Sequence, residues 1–127
     1  MGLSLRRHPV ALLRSQLASL RYRRASELRQ LGHSQLARAA GIVITRQRPS
    51  SGGGLLFITL EDETGVVNVI IRQSLAERQR AIVVGAQLMG VVGSWETRDG
   101  VHHLLAGRVA DHSELLGELT THSREFH

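Results

Sequence analysis

The middle of the chain alternates like a strand protein. "LLFITLE" (Leu55–Glu61) and "VVNVIIR" (Val66–Arg72) are short runs rich in β-branched and aromatic residues, separated by the acidic corner "DETG". Upstream, "LARAAGIVITRQR" (Leu36–Arg48) carries a β-branched run from Ile42 to Thr45. Downstream, "QLMGVVGSWETR" and "VHHLLAGRVA" flank Asp99-Gly100, a tight-turn pair that predicts a hairpin. "SLAERQRAIV" between the third and fourth strands predicts one helix, with Ser74 as its N-cap and Glu77 three residues on, as in a capping box.

The ends follow a helical period. Pro9 suits a first helical position, and Val10, Leu13, Leu17 and Leu20 fall on one face. "RYRRAS" interrupts that pattern, and a second short helix is predicted from Ser26 to Leu31, stopped by Gly32. From Asp111 to about His122 the tail reads as an amphipathic helix, with Leu115, Leu116 and Leu119 on one side.

Three strands, a helix, then a hairpin is the order of a five-stranded OB barrel. The predicted fold is therefore mainly β with flanking helices, in three parts. A basic helical segment (1–34), expected to pack on another surface because it is too small to fold alone, leads into the barrel (35–110). A C-terminal helix and tail (111–127) follow. In such a barrel the binding face lies on strands two and three, between the loops after strands one and four. Those loops are "RPSSGGG" (Arg48–Gly54) and "TRDG" (Thr97–Gly100).

Charge sharpens this picture. Residues 1–50 hold ten Arg against one acid, Glu27, and residues 51–127 hold six Arg against ten acids; +9 and −4 sum to the net +5. A basic half suggests a polyanion partner, or Arg used simply as a solvated charge. Cys is absent, which excludes disulfides, thiolate metal sites and cysteine nucleophiles. No apolar run approaches the roughly 20 residues of a membrane span, so no membrane partner is expected. "MGLSLRRHPV" lacks the apolar core of a signal peptide, and the expected location is the cytoplasm.

Enzyme chemistry finds little support. On a strand, Glu61 and Glu63 share one side and Asp62 faces the other, while Asp62, Thr64 and Gly65 suit a turn. The corner is expected to be structural; a small hydrolase would need Glu61, Glu63 and a His within hydrogen-bond reach. His102 and His103 are adjacent, so they point to opposite faces and cannot share one metal ion without a bulge. "SSGGG" is no P-loop, because that loop needs a Lys and the chain has none. No cofactor and no metal are expected.

An OB groove holds single strands with Arg on phosphates and aromatic rings on bases. The candidates are Arg46 and Arg48 at the first loop, Arg72 after strand three, Arg98 in the second loop, and His103. Trp95 and Phe57 are the available stacking surfaces, Phe57 facing either core or groove.

Four stretches also resemble the C-terminal end of the bacterial C-family DNA polymerases, in particular their error-prone, damage-inducible branch. They are "GLSLRRHPVALLR" (Gly2–Arg14), "RAAGIVITRQRP" (Arg38–Pro49), "FITLEDETGVVNVII" (Phe57–Ile71) and "SREFH" (Ser123–His127). The resemblance implies an OB domain that holds single-stranded DNA template beside a polymerase, in a protein that copies past lesions. It also implies that the catalytic domains lie outside this chain, which would then be a non-catalytic fragment. Where that family commonly has an aromatic residue and then Pro after strand three, this chain has Arg72-Gln73, a charge in place of a stacking surface. Two alternatives stand beside the single-strand reading. One is an adaptor that docks other replication or translesion proteins; the other is a relic that keeps the fold without binding.

Overall fold

The computed structural model describes residues 8–49 and 53–125. Five strands run as β1 (Gln35–Gln47), β2 (Leu56–Asp62), β3 (Gly65–Ile71), β4 (Leu88–Arg98) and β5 (Val101–Asp111). They close into a barrel in the order β1-β2-β3-β5-β4, with only β3 and β5 parallel. This is the expected OB barrel, with short helices before it and one after. Strand β1 spans both halves of the barrel, pairing with β4 from Gln35 to Ile42 and with β2 from Ile42 to Gln47. The predicted hairpin turn is present, with Asp99 and Gly100 both at positive φ, 54° and 77°.

Alternation along β2 and β3 sends Ile58, Leu60, Val69 and Ile71 inward, where they meet Met89, Val91 and Leu104 in a fully buried core. Each such side chain contributes about 1.5–3 kcal/mol by leaving water. Between β3 and β4 the chain forms two helices instead of the predicted one, α4 (Gln73–Arg78) and α5 (Arg80–Gly85). The break falls at Gln79, whose side-chain amide accepts from Val109 N and donates to Val109 O, both at 2.9 Å. Ser74 lies inside α4 and caps nothing; Arg72 occupies the N-cap position, with no side-chain cap bond.

The basic N-terminal segment packs on the barrel. Its first predicted helix divides at Leu13 into α1 (Pro9–Leu12) and α2 (Arg14–Ser19), and its second is a single turn, α3 (Ala25–Leu28). Val10, Leu13 and Leu17 are buried as their spacing foretold. Leu20 is exposed instead, because Arg21 turns the chain in a left-handed conformation (φ 71°) and brings Tyr22 inward. With Ala40 and Leu88 these residues form a second small core. Leu115, Leu116 and Leu119 of the C-terminal helix α6 (Ser113–Glu125) cover it.

The β2–β3 corner ties this segment down. Asp62 is buried, and its Oδ1 accepts from Thr64 N (2.7 Å), Thr64 Oγ1 (2.8 Å) and Gly65 N (3.1 Å), the turn expected from sequence. Its Oδ2 accepts from Ala25 N at 2.7 Å, the first N–H of α3, and Thr64 Oγ1 accepts from Ser26 N at 3.1 Å. Arg14 Nη2 lies 3.7 Å from the same carboxylate.

Every neighbour of the Asp62 carboxylate is a donor, so an amide at this place must turn its NH2 group toward N–H groups. Asp62→Asn is expected to cost about 2–4 kcal/mol. Native-state amide exchange checks where the loss falls: protection in the wild-type segment 23–31, and faster exchange there than in β4 and β5 in the variant.

Candidate nucleic-acid interface

Strand register defines the outer face of the barrel. Opposed pairs share a side, so Gln47 and Phe57, Phe57 and Ile70, Thr59 and Asn68, and Glu61 and Val66 all point outward across β1, β2 and β3. Parallel pairing of Val69 with Leu104 sets His103 beside Asn68 on this face. The middle of the face is thus polar and neutral (Gln47, Thr59, Asn68), with Phe57 half-exposed as its one aromatic ring.

The seven sequence candidates divide by position. Arg72 is exposed just past β3, two residues after Ile70 and in line with the outward row. Arg48 is exposed at the same end, where its Nη1 donates to Gly54 O at 2.9 Å. Ser50, Ser51 and Gly52 of that loop lie outside the described residues. Arg98 stands at the other end of the face, at the tip of the β4–β5 hairpin, and His103 lies opposite Glu96.

Arg46 and Trp95 are not on this surface. Arg46 pairs with Ile58 and so projects from the side of β1 opposite Gln47; although the residue is exposed, its guanidinium donates to Val83 O (2.7 Å) and Ala86 O (2.5 Å), the carbonyls that end α5. Trp95 is 3% exposed, opposite Leu104, and stacks on His102 with ring centroids 5.5 Å apart and planes 15° from parallel. It serves the core, and no base can stack on it. Strand parity separates Trp95 from Phe57, but apolar residues on both sides of each strand hide that parity in the sequence.

Arg29 was missed. It lies over Gly65, where an added Cβ would come 2.8 Å from Arg29 Nη2, and with Val66, Asn68, Val101 and His102 it lines a shallow pocket beside the hairpin tip. Its place in the loop after α3 carried no signal in the sequence.

The acids of the corner are committed to structure. His8 Nδ1 accepts from Val10 N at 3.1 Å, which leaves its proton on Nε2, 3.0 Å from Glu61 Oε1. Both ring nitrogens are therefore used. Glu63 takes a twin hydrogen bond from Arg14, Nε to Oε2 and Nη2 to Oε1, each 2.8 Å. Glu63 and Glu61 thus hold different partners, and no free base remains between them. Among the described residues no three His, Asp or Glu side chains gather as metal ligands.

Residues 37–111 match the family described as the OB-fold nucleic acid binding domain. The chain belongs to that family. Error-prone DNA polymerases align with this OB-fold domain along its length. That of Alkalilimnicola ehrlichii is 50% identical over 127 residues, and that of Aromatoleum aromaticum is 52% identical over 126. These alignments cover 100% and 99% of this chain, so the resemblance carried by the four sequence stretches holds throughout. The chain spans 12% of the length of each polymerase. Among solved structures, asparaginyl-tRNA synthetase from Pyrococcus horikoshii superposes with a TM-score of 0.60 at 18% identity, over 72% of this chain and 22% of its own. The Stn1–Ten1 complex of S. pombe gives 0.50 at 18%, over 72% of this chain and 78% of its own. At such identities the likeness is one of fold. Among the described residues no helix is long and apolar enough to cross a membrane.

The Arg14 pair holds the Glu63 carboxyl below the usual glutamate range, hydrogen bonding being the larger cause and burial opposing it. A depressed carboxyl stabilises the fold fully above its unfolded pKa and loses that increment as pH falls through its folded one. Glu63→Gln is therefore expected to cost about 2–3 kcal/mol near pH 7. The difference from wild type should shrink on acidification toward about pH 3. Urea midpoints at the two pH values measure both numbers.

Proposed function

We propose that this domain holds single-stranded DNA on the outer face of β1–β3 and presents it as template to an error-prone polymerase, without doing chemistry itself. The observation that carries the reading is the family match over the barrel. What supports its placement is a neutral, hydrogen-bonding middle between two cationic ends.

On this reading Phe57 stacks on one base, and Thr59, Asn68 and His103 meet base edges or sugars. Arg48 and Arg72 neutralise phosphates at one end and Arg98 at the other. One aromatic ring is a small platform, so binding is modest, tolerant of sequence and steeply weakened by salt. Glu61, held by His8 at one border of the face, repels phosphate and helps keep the strand on the central path.

Phe57→Ala is expected to weaken single-strand binding by about 1–3 kcal/mol. Anisotropy of a labelled oligonucleotide at low and moderate salt measures this. A folded wild-type chain that leaves the oligonucleotide free at low salt would overturn the proposal.

A further inference from the structure

The densest positive charge of the described residues is not on the barrel face. It lies where α2, the turn after it and the first half of β1 meet. There Arg14, Arg21, Arg23, Arg24 and Arg38, with Leu36 and a single acid, Glu27, line a cleft of about 470 Å3.

Three features distinguish this cleft from a solvated charged face. First, acids are scarce. Glu63 pairs with Arg14 and lies 3.8 Å from Arg24, and Glu27 Oε1 accepts from Arg24 N at 2.9 Å. Among the described residues no carboxylate stands within ion-pair distance of Arg21, Arg23 or Arg38. Second, two of the guanidinium groups, those of Arg14 and Arg38, are held in place. Arg38 sits 5.3 Å above the Tyr22 ring and donates Nη2 to Leu20 O at 3.0 Å, while Arg14 is fixed by its two bonds to Glu63. Arg14 Nη1 and Arg38 Nε are buried and find no acceptor among the described residues. Third, Arg21 keeps a left-handed backbone (φ 71°) at the end of α2, a place that favours glycine. A long cationic side chain held there at a conformational cost points to a use for its charge.

We propose that this cleft binds the sugar–phosphate backbone of duplex nucleic acid, as a second contact surface outside the barrel face. Grouped guanidinium forks match phosphate oxygens in pairs. A duplex presents about twice the charge per unit length of a single strand, which suits so compact a cationic group. The only aromatic ring in the lining, Tyr22, is buried, so unpaired bases find nothing to stack on. Leu36, 73% exposed, offers an apolar surface to a sugar. The cleft shares no residue with the Phe57 face, so either assignment can fail alone.

The test is a titration of the full chain with a labelled blunt duplex of about 20 base pairs, long enough to span several phosphate contacts on each strand. Wild type, Phe57→Ala and the double variant Arg21→Gly/Arg23→Gln are compared at several salt concentrations. The double variant should bind duplex on the order of ten-fold more weakly, with a salt slope shallower by about 2. It should also melt no lower than wild type, since glycine relieves the left-handed turn. Phe57→Ala should leave duplex binding unchanged. Arg23→Glu alone, at an exposed position, gives a second reading that does not depend on the turn, and should weaken duplex binding as well. Wild-type affinity and slope in these cleft variants would overturn the proposal, as would the absence of duplex binding by wild type at low salt. Equal loss in Phe57→Ala would place the duplex on the barrel face instead. Displacement of the duplex by polyglutamate at equal charge concentration would assign the cleft to an acidic polypeptide.

Discussion

One buried carboxylate holds this molecule together. Asp62 ends β2, closes the turn into β3 and accepts the first N–H of α3, so one side chain belongs to sheet, turn and helix at once. Helix ends leave backbone N–H groups without partners, and a buried end needs an acceptor supplied from elsewhere. Here the barrel supplies it. Because the same group also sets the corner geometry, the basic segment cannot lift away without disturbing the end of the binding face. The barrel and its N-terminal helices are one body for that reason.

The uneven charge of the sequence acquires a second meaning from this arrangement. Part of the acidic excess of the second half is turned toward the basic first half: Glu61 meets His8, and Glu63 meets Arg14 and Arg24. These pairs join the two halves across the corner and remove some of the positive charge from the surface. Arg21, Arg23 and Arg38, which have no acid within ion-pair distance among the described residues, lie together in one cleft away from the neutral centre of the barrel face. A face that reads bases by hydrogen bonds and stacking needs little net charge; a surface that reads only backbone needs a great deal.

Strand period, the Asp99-Gly100 turn and the acidic corner were legible because each depends on neighbours in sequence. The helix breaks were not. Gln79 interrupts its helix to pair with Val109, thirty positions away, and nothing local announces that exchange. Ser74 has the chemistry of a cap, but the helix starts one residue before it and leaves it no such role. Arg46 reads like its neighbour Arg48 in sequence, yet it projects from the other side of β1, where the carbonyls at the end of α5 hold its guanidinium. Of the two stacking candidates, only Phe57 faces outward, for a related reason: which side of a strand is inside depends on register, and both strands carry apolar residues on each side.

The double partnership of β1 has a kinetic consequence. The β2–β3 and β4–β5 hairpins join residues close in sequence and form from local collisions. Closing the barrel brings Gln35 to Trp95, sixty positions further on, and that long loop must lose its entropy before the contact returns anything. Of the antiparallel pairings that close the barrel, β1 against β4 therefore carries the largest loop-closure cost, and it joins the strand that belongs to both halves to the hairpin furthest from it in sequence.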